Sequence, residues 1–598
     1  MTSDNLETRI YCNFRGVDFR GEEINLVRSP DSLNVWKDYK ETESIRTRPE
    51  LELLETFNNT VWGVFFFDNM MLVHSGSELY RILDGEKKKI FSDLKEAPSN
   101  AFVYENVWYF KDGKHYLKYY KKTVITGTNP GVEGSGGLEE AYFIEDVCIE
   151  SYIPTTSIAR NPAGGGKVSQ DFNMLNGKRY NTFLSDGKSK EYFLDTYNLD
   201  TDFIPRVWVD DKPKFTGMSD DGLKEPINPT EPKLEYTVDY EKGKITFNSV
   251  PSAPLTDGQD NVKVLFKKTV PKYRECILNC TMLQIFDNRV FFCGNKDYPN
   301  HIWHCSLYDP TYVSDLDHYP EGLTDAQTMG MVAGNNALWV FLEPSDANTT
   351  VFYHTPTLDS DYGKIYPSTH SSITTGCIGK AINFNDDIIF FSDRGMEGIS
   401  GDVTTEQVLG HRSTLIDRKL IAEPKYKDMI LEEWEGYLLV FIGNKVYLAD
   451  SRSVFANENH IEYDWFYWEL SKDVTCAKVH NGILYIGTND GVYTLTDTTS
   501  PVESYWVTPK DKFKHPHKLK TTNKRGCVVE ATGDLSVYAK IEDTDFELIG
   551  ENKNITDYFV SRIKRKKFKD IQLKFHSKTR FSLETATLEC FIGGYIKR

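Results

Sequence analysis

CTMLQIFDNRVFFCG (280–294), MVAGNNALWVFLE (331–343), AINFNDDIIFFSDRGMEGIS (381–400), LEEWEGYLLVFIGNKVYLAD (431–450) and CAKVHNGILYIGTNDGVYTL (476–495) repeat one pattern. Each opens on an apolar or mixed strand, passes through a tight polar turn and returns in an aromatic-rich strand. A second Gly turn often leads into a third strand. Successive copies lie about fifty residues apart, and a multi-strand unit recurring at that period reads as the blades of a β-propeller.

Working outward, VWGVFFFDNMMLVHSGSELYRIL (61–83) and NAFVYENVWYFKDGKHYLKYY (100–120) share this grammar, with turn signals at Asp68-Asn69, Glu105-Asn106 and Asp112-Gly113. They are assigned to the same propeller, so that 56–125 supplies its first part and 270–500 the remainder, with an insertion between. The insertion opens with a linker, 126–189. Its Gly-rich run TGTNPGVEGSGG (126–137) lacks the Gly-Lys-Ser/Thr ending of a phosphate cradle, and no helical pattern follows it. Residues 190–269 then alternate with period two in Lys244–Phe247 and Val262–Phe266, with a hairpin signal at 241–244, which predicts an inserted β-sandwich of immunoglobulin-like type. Residues 1–55 read as an extended arm, punctuated by Arg15, Arg20, Arg28, Arg46 and Arg48, lying across the body and closing a sheet. Residues 501–598 read as a C-terminal β domain, sandwich-like and carrying basic patches. The fold class expected is all-β.

Composition agrees with sheet: aromatics make up 13% of the 598 residues, and flat side chains suit a pleated, half-buried surface. The formal charge of −18 argues against a general nucleic-acid binder, which needs cationic surface for phosphate. It suits a channel wall past which DNA slides, and equally the plain solubility of a large chain. The ten cysteines are scattered, about half of them within apolar strand patterns, which predicts reduced, buried thiols in a chain folded in a cytoplasm. MTSDNLETRI has no apolar core of a signal peptide, and no run approaches the length of a membrane helix.

Candidate chemistry is sparse. Cys276, Cys280, Cys293, His301, His304 and Cys305 are the sharpest metal candidates, but their spacing matches no standard zinc finger. If Cys276 and Cys280 shared a strand they would lie roughly 13 Å apart, too far for one ion. Neither a Gly-x-Ser-x-Gly elbow nor a His-Glu-x-x-His helix is present. The acidic pairs Asp210-Asp211, Asp220-Asp221 and Asp386-Asp387 invite comparison with propeller glycosidases, yet Asp386-Asp387 falls where the repeat places a turn. No catalytic residue, metal ligand or cofactor is therefore assigned. The basic run Arg562, Lys564, Arg565, Lys566, Lys567 and Lys569 has three readings: contact with DNA phosphate, a solvated or edge-guarding face, or a surface for docking a partner.

RGVDFRG, RSPDSLNVWKDY and RTRPELELL near the start, then YIPTTSIARNPAGGG and FNMLNGKRYNTFLSDG, resemble structural proteins of tailed phages and prophages. GNKDYPNHIWHCSLYDPTYV is similar to the signature of tail nozzle (tail tubular protein B-like) propellers, here Pro299-Asn300, Trp303, Ser306 and Asp309-Pro310. Cys305 departs from it, standing where the family has an aromatic. The resemblance covers most of the chain to about residue 500. It implies a virion tail component made in the bacterial host cytoplasm, forming a homo-oligomeric, six-fold ring below the portal and adaptor. Its partners would be further copies of itself, the portal-adaptor and other tail proteins, and genomic DNA passing without sequence-specific binding. The alternative is a carbohydrate-binding or carbohydrate-cleaving propeller on a virion surface.

Overall fold

A computed structural model describes residues 6–38, 43–126, 137–220, 232–323, 325–346, 349–360, 363–400, 403, 407–457, 460–497, 500–563 and 567–595. Among these residues, seven four-stranded antiparallel sheets form the blades of a propeller. Blade 1 starts at Val61–Phe67, blade 2 at Asn100–Tyr104, blade 3 at Met282–Phe286 and blade 4 at Thr328–Gly334. Blades 5, 6 and 7 start at Ala381–Phe384, Ile430–Trp434 and Cys476–His480. Blade 7 takes its fourth strand, Glu50–Thr56, from the other end of the chain, where it pairs with Gly491–Thr496 and closes the ring.

The second strand of each blade decides the packing. Phe291 packs towards blade 4 and Phe292 towards blade 2; Phe390 faces blade 4 and Phe391 blade 6. Leu438 and Val440 face blade 5, while Leu439 and Phe441 face blade 7. A strand buried on both faces needs no polar alternation, which is why VFFC, IIFF and LLVF read as unbroken apolar runs. Seven such interfaces join the blades in a circle, from Val61 and Val64 against Val492 to Leu439 and Phe441 against Leu484 and Ile486.

The first hairpin of every blade turns through two residues of positive φ: Asp68-Asn69, Glu105-Asn106, Asp287-Asn288, Asn335-Asn336, Asn385-Asp386, Glu435-Gly436 and Asn481-Gly482. This is the turn whose twist matches the right-handed twist of the flanking strands, and Asn, Asp and Gly tolerate its left-handed backbone best.

The arm is more than an extended strap. Leu6–Tyr11 pairs with the strand Phe581–Tyr595, Ser32–Leu33 with Ser504–Val507, and Ile45–Thr47 with Phe581–Tyr595 again. All belong to one 11-stranded C-terminal sheet. Its 24-residue strand, Lys518–Ile541, runs beside Phe581–Tyr595 as far as Gly533, then beside Ile571–Ser577 from Ser536. Gly533 (φ 90) stands at the change of partner, where a Cβ would sit 2.3 Å from the Arg580 carbonyl oxygen. The arm's arginines fasten it down: Arg15 and Arg28 both reach Asp464 of blade 6, at 3.0 and 2.7 Å.

The linker expected over 126–189 is largely ordered sheet. Gly137–Asp146 is the fourth strand of blade 2, so the first part of the propeller runs beyond residue 125. The inserted domain starts at Thr155–Arg160 rather than near residue 190. Its sheets share a core of Phe183, Tyr192, Val207, Ile245, Val264 and Phe266. Thr155–Arg160 and Lys178–Phe183 pair in parallel, where an immunoglobulin sandwich is antiparallel. The Gly-rich run lies outside the described residues over 127–136.

Candidate functional site

Pro299, Asn300, Trp303, Asp309 and Pro310 lie at the seam between blades 2, 3 and 4 and the root of the inserted domain. The Pro299 carbonyl accepts from the Thr328 N–H and hydroxyl of blade 4, both at 2.9 Å. Asn300 Nδ2 donates to the Glu321 carbonyl at 3.1 Å. Trp303 is buried among Tyr109 and Tyr116 of blade 2. Asp309 Oδ1 accepts from the Thr311 N–H and hydroxyl, a turn-closing arrangement, and the Pro310 carbonyl accepts from Tyr116 Oη at 3.1 Å. Thr311 in turn receives the Tyr152 N–H at 3.1 Å and, through its carbonyl, Asn173 Nδ2 at 2.9 Å. Pro299, Trp303 and Pro310 thus reach neighbouring blades, while Asn300 and Asp309 brace the loops that carry them.

The metal candidates do not converge. Cys276 lies in a short helix, Tyr273–Leu278, and Cys280 just past it, so the strand spacing used for them is corrected to about one helical turn. The Cys280 thiol donates to the Cys276 carbonyl at 3.1 Å, and burial pushes the Cys280 and Cys305 thiols up to about 12. His304 is buried, and desolvation lowers it to about 4; His301 stacks on Trp303 and His318. Among the described residues no group of three or more His, Cys, Asp or Glu side chains could hold a metal ion. All ten cysteines are free, eight of them buried.

The acidic pairs serve structure. Asp210 and Asp211 form a turn of positive φ, and Asp221 lies outside the described residues. Asp386 is a turn residue, but Asp387 begins a strand and is buried. It receives Arg412 Nε at 2.9 Å and Nη2 at 3.2 Å, together with Tyr463 Oη at 2.9 Å. Beside it His411 lies between Asp417 (2.6 Å) and Glu397 (3.1 Å), and hydrogen bonds to Asp417 first and Glu397 second raise it to about 9. In blade 4, His354 Nε2 meets Glu321 Oε1 at 2.7 Å, both side chains fully buried. In each centre the carboxylates are committed to hydrogen-bonding partners within the fold, an arrangement expected of buried polar groups.

The basic C-terminal run divides. Arg562, Lys567 and Lys569 are exposed, while Lys564, Arg565 and Lys566 lie outside the described residues. Upstream lysines are engaged internally: Lys510 with Glu22 at 2.7 Å and Lys512 with Glu23 at 2.5 Å, both acids from the arm. Lys520 is buried, donating to the Lys569 carbonyl at 2.8 Å. Part of what reads as a basic patch is therefore cement between the two ends of the chain.

Sequence reasoning overlooked Arg179 and the Asp387–Arg412–Tyr463 centre. Arg179 sits in the alternating strand Lys178–Phe183, where a charged residue reads as solvent-facing, yet it is buried.

No family model matches the chain, and no curated protein matches it. Among solved structures it is similar to a computationally designed protein, Ika8 (10% identity, 75% of this chain and 99% of that one, TM-score 0.30). BamB from Moraxella catarrhalis is 9% identical over 79% of this chain and 94% of its own, with a TM-score of 0.29. An exo-β-1,3-galactanase from Phanerochaete chrysosporium is 9% identical over 51% and 94%, with a TM-score of 0.22. The propeller assignment stands on the strand pairing and the seven interfaces above.

Proposed function

We propose that this chain is a structural component of a tailed-phage virion tail, of the nozzle type, assembled as a six-fold homo-oligomeric ring and without catalytic activity. The observation that carries the reading is the seam. Of the residues that carry the resemblance, Pro299 and Pro310 bond to blades 4 and 2 and Trp303 packs in the core shared with blade 2, while Asn300 and Asp309 hold the loops between them. Such residues are what a load-transmitting wall needs. The pairing of Asp387 with Arg412 and of Glu321 with His354 supports the same reading, since those carboxylates are committed to neighbouring strands.

In this role the ring sits below the portal and adaptor, and genomic DNA passes through it without sequence-specific contact. Head-to-tail contacts between copies close the ring, with Arg562, Lys567 and Lys569 among the exposed charges available for docking. The test is negative-stain imaging of the purified chain and of particles from an infected host, with antibody labelling. Six-fold rings and label at the tail are expected. Isolated discs at every concentration, with unlabelled particles, would overturn the proposal. So would cleavage of host-wall polysaccharide that is lost when a single acidic residue of the propeller is replaced.

A further inference from the structure

Six arginines are buried among the described residues: Arg28, Arg48, Arg160, Arg179, Arg206 and Arg412. Five of them donate hydrogen bonds: Arg28 to the Arg15 carbonyl, Arg48 to Asn34, Arg160 to Ser157, Arg206 to the Ser219 carbonyl and Arg412 to Asp387. Arg179 is 4% exposed, and its buried Nε has no hydrogen-bond partner. Its nearest carboxylate oxygen, on Asp195, stands 3.8 Å from Nε. The other Asp195 oxygen is held by Thr156 Oγ1 at 2.6 Å and Asn181 Nδ2 at 2.9 Å, so the carboxylate is anchored away from the arginine. Phe172 and Phe266 lie 4.3 and 5.2 Å from the guanidinium carbon. Aromatic rings attract the cation but offer its N–H groups no oxygen.

Arg179 lines a cavity of about 320 Å³ at the root of the inserted domain. Lys178, Lys267, Lys268 and Arg274 line it too, and no carboxylate does. The acids that answer these cations lie outside the lining: Asp202 and Asp200 beside Lys267 at 2.5 and 3.9 Å, Asp146 beside Arg274, and Asp315, which accepts from Tyr273 and the Phe172 N–H. A guanidinium whose buried Nε has no acceptor is costly unless one arrives. Planar N–H pairs match the spacing of oxyanion oxygens, and charge-assisted bonds of that kind are the strong ones.

We propose that this cavity is a binding site for a small oxyanion of phosphate type, free or carried as a monoester, with Arg179 as its principal ligand. The walls come from both chain crossings between propeller and insertion, 148–154 and 267–274. A bound anion would therefore tie the crossings together and fix the insertion against the blades. The proposal is independent of the tail reading.

The test is isothermal titration and thermal melting of the full chain with inorganic phosphate and, separately, glycerol 3-phosphate, at constant ionic strength maintained with chloride. Saturable binding in the millimolar range or tighter is expected, with a rise in Tm. Preference for the monoester assigns a ligand-borne phosphate; equal or better binding of inorganic phosphate assigns the free ion. Arg179→Met should weaken binding at least tenfold, and Lys268→Met several-fold while leaving the fold unchanged. Absence of saturable binding of either anion, or binding undiminished in Arg179→Met, would overturn the proposal.

Discussion

Blade 5 and the root of the inserted domain each bury an arginine, Arg412 at 0% exposure and Arg179 at 4%. Around Arg412 the blade supplies a two-pronged carboxylate from Asp387, with Tyr463 of blade 6 completing the carboxylate's shell. Only its Nη1 lacks a partner. Around Arg179 the protein supplies two aromatic rings and a carboxylate turned elsewhere. Where two blades face each other, polar groups are matched within the fold. Where two modules join, a cation is buried and left open.

The comparison can be broken most forcefully at Arg412. Arg412→Met removes the cation and leaves Asp387 buried with Tyr463 alone, and should destabilise the propeller by about 3–5 kcal/mol in urea unfolding. A loss below about 1 kcal/mol would mean the pair does not hold the blade.

His411, in the same blade, sharpens the contrast through pH. Its folded pKa is raised from 6.5 to about 9, so its stabilisation is complete below pH 6.5 and is lost as pH rises through about 9. Wild-type stability should fall across that window by on the order of 1–3 kcal/mol, after allowance for partial exposure. His411→Gln should flatten the slope, and an unchanged slope would place the titration elsewhere.

The smallest effect is expected at the root. Arg179→Met, in buffer free of phosphate and sulfate, forfeits no hydrogen bond and retains an apolar stem, so stability should change by less than about 1 kcal/mol. A loss as large as that of Arg412→Met would show that Arg179 is satisfied by the protein itself.

Much of the propeller is legible in the sequence because its determinants are local. Each blade announces its first hairpin by two turn residues, such as Asn335-Asn336 or Asn481-Gly482, and its second strand by a run such as IIFF. What could not be read depends on distant partners. Nothing in Leu6–Tyr11 names Ala586–Phe591 as its mate, and nothing in Lys510 names Glu22. The helix at Tyr273–Leu278 is too short for periodicity to reveal, so nothing in the sequence sets Cys276 and Cys280 one helical turn apart. Arg179 was hidden for a related reason: alternation assigns it to a face, but what covers that face is the joint with the propeller.

The borrowed strand Glu50–Thr56 sets an order of events for the growing chain. Its partner, Gly491–Thr496, is made only after some 430 further residues. Until then its backbone edge stands open, the condition in which strands pair with the wrong neighbour. Its sequence, ELELLET, sets Glu50, Glu52 and Glu55 among three leucines, and Leu53 and Leu54 remain 47% and 45% exposed even when the ring is closed. Charge placed on a strand in this way is what opposes its pairing with another exposed edge. The ring therefore locks only once blade 7 has been made, and a ribosome that stops before it releases an open chain rather than a smaller propeller.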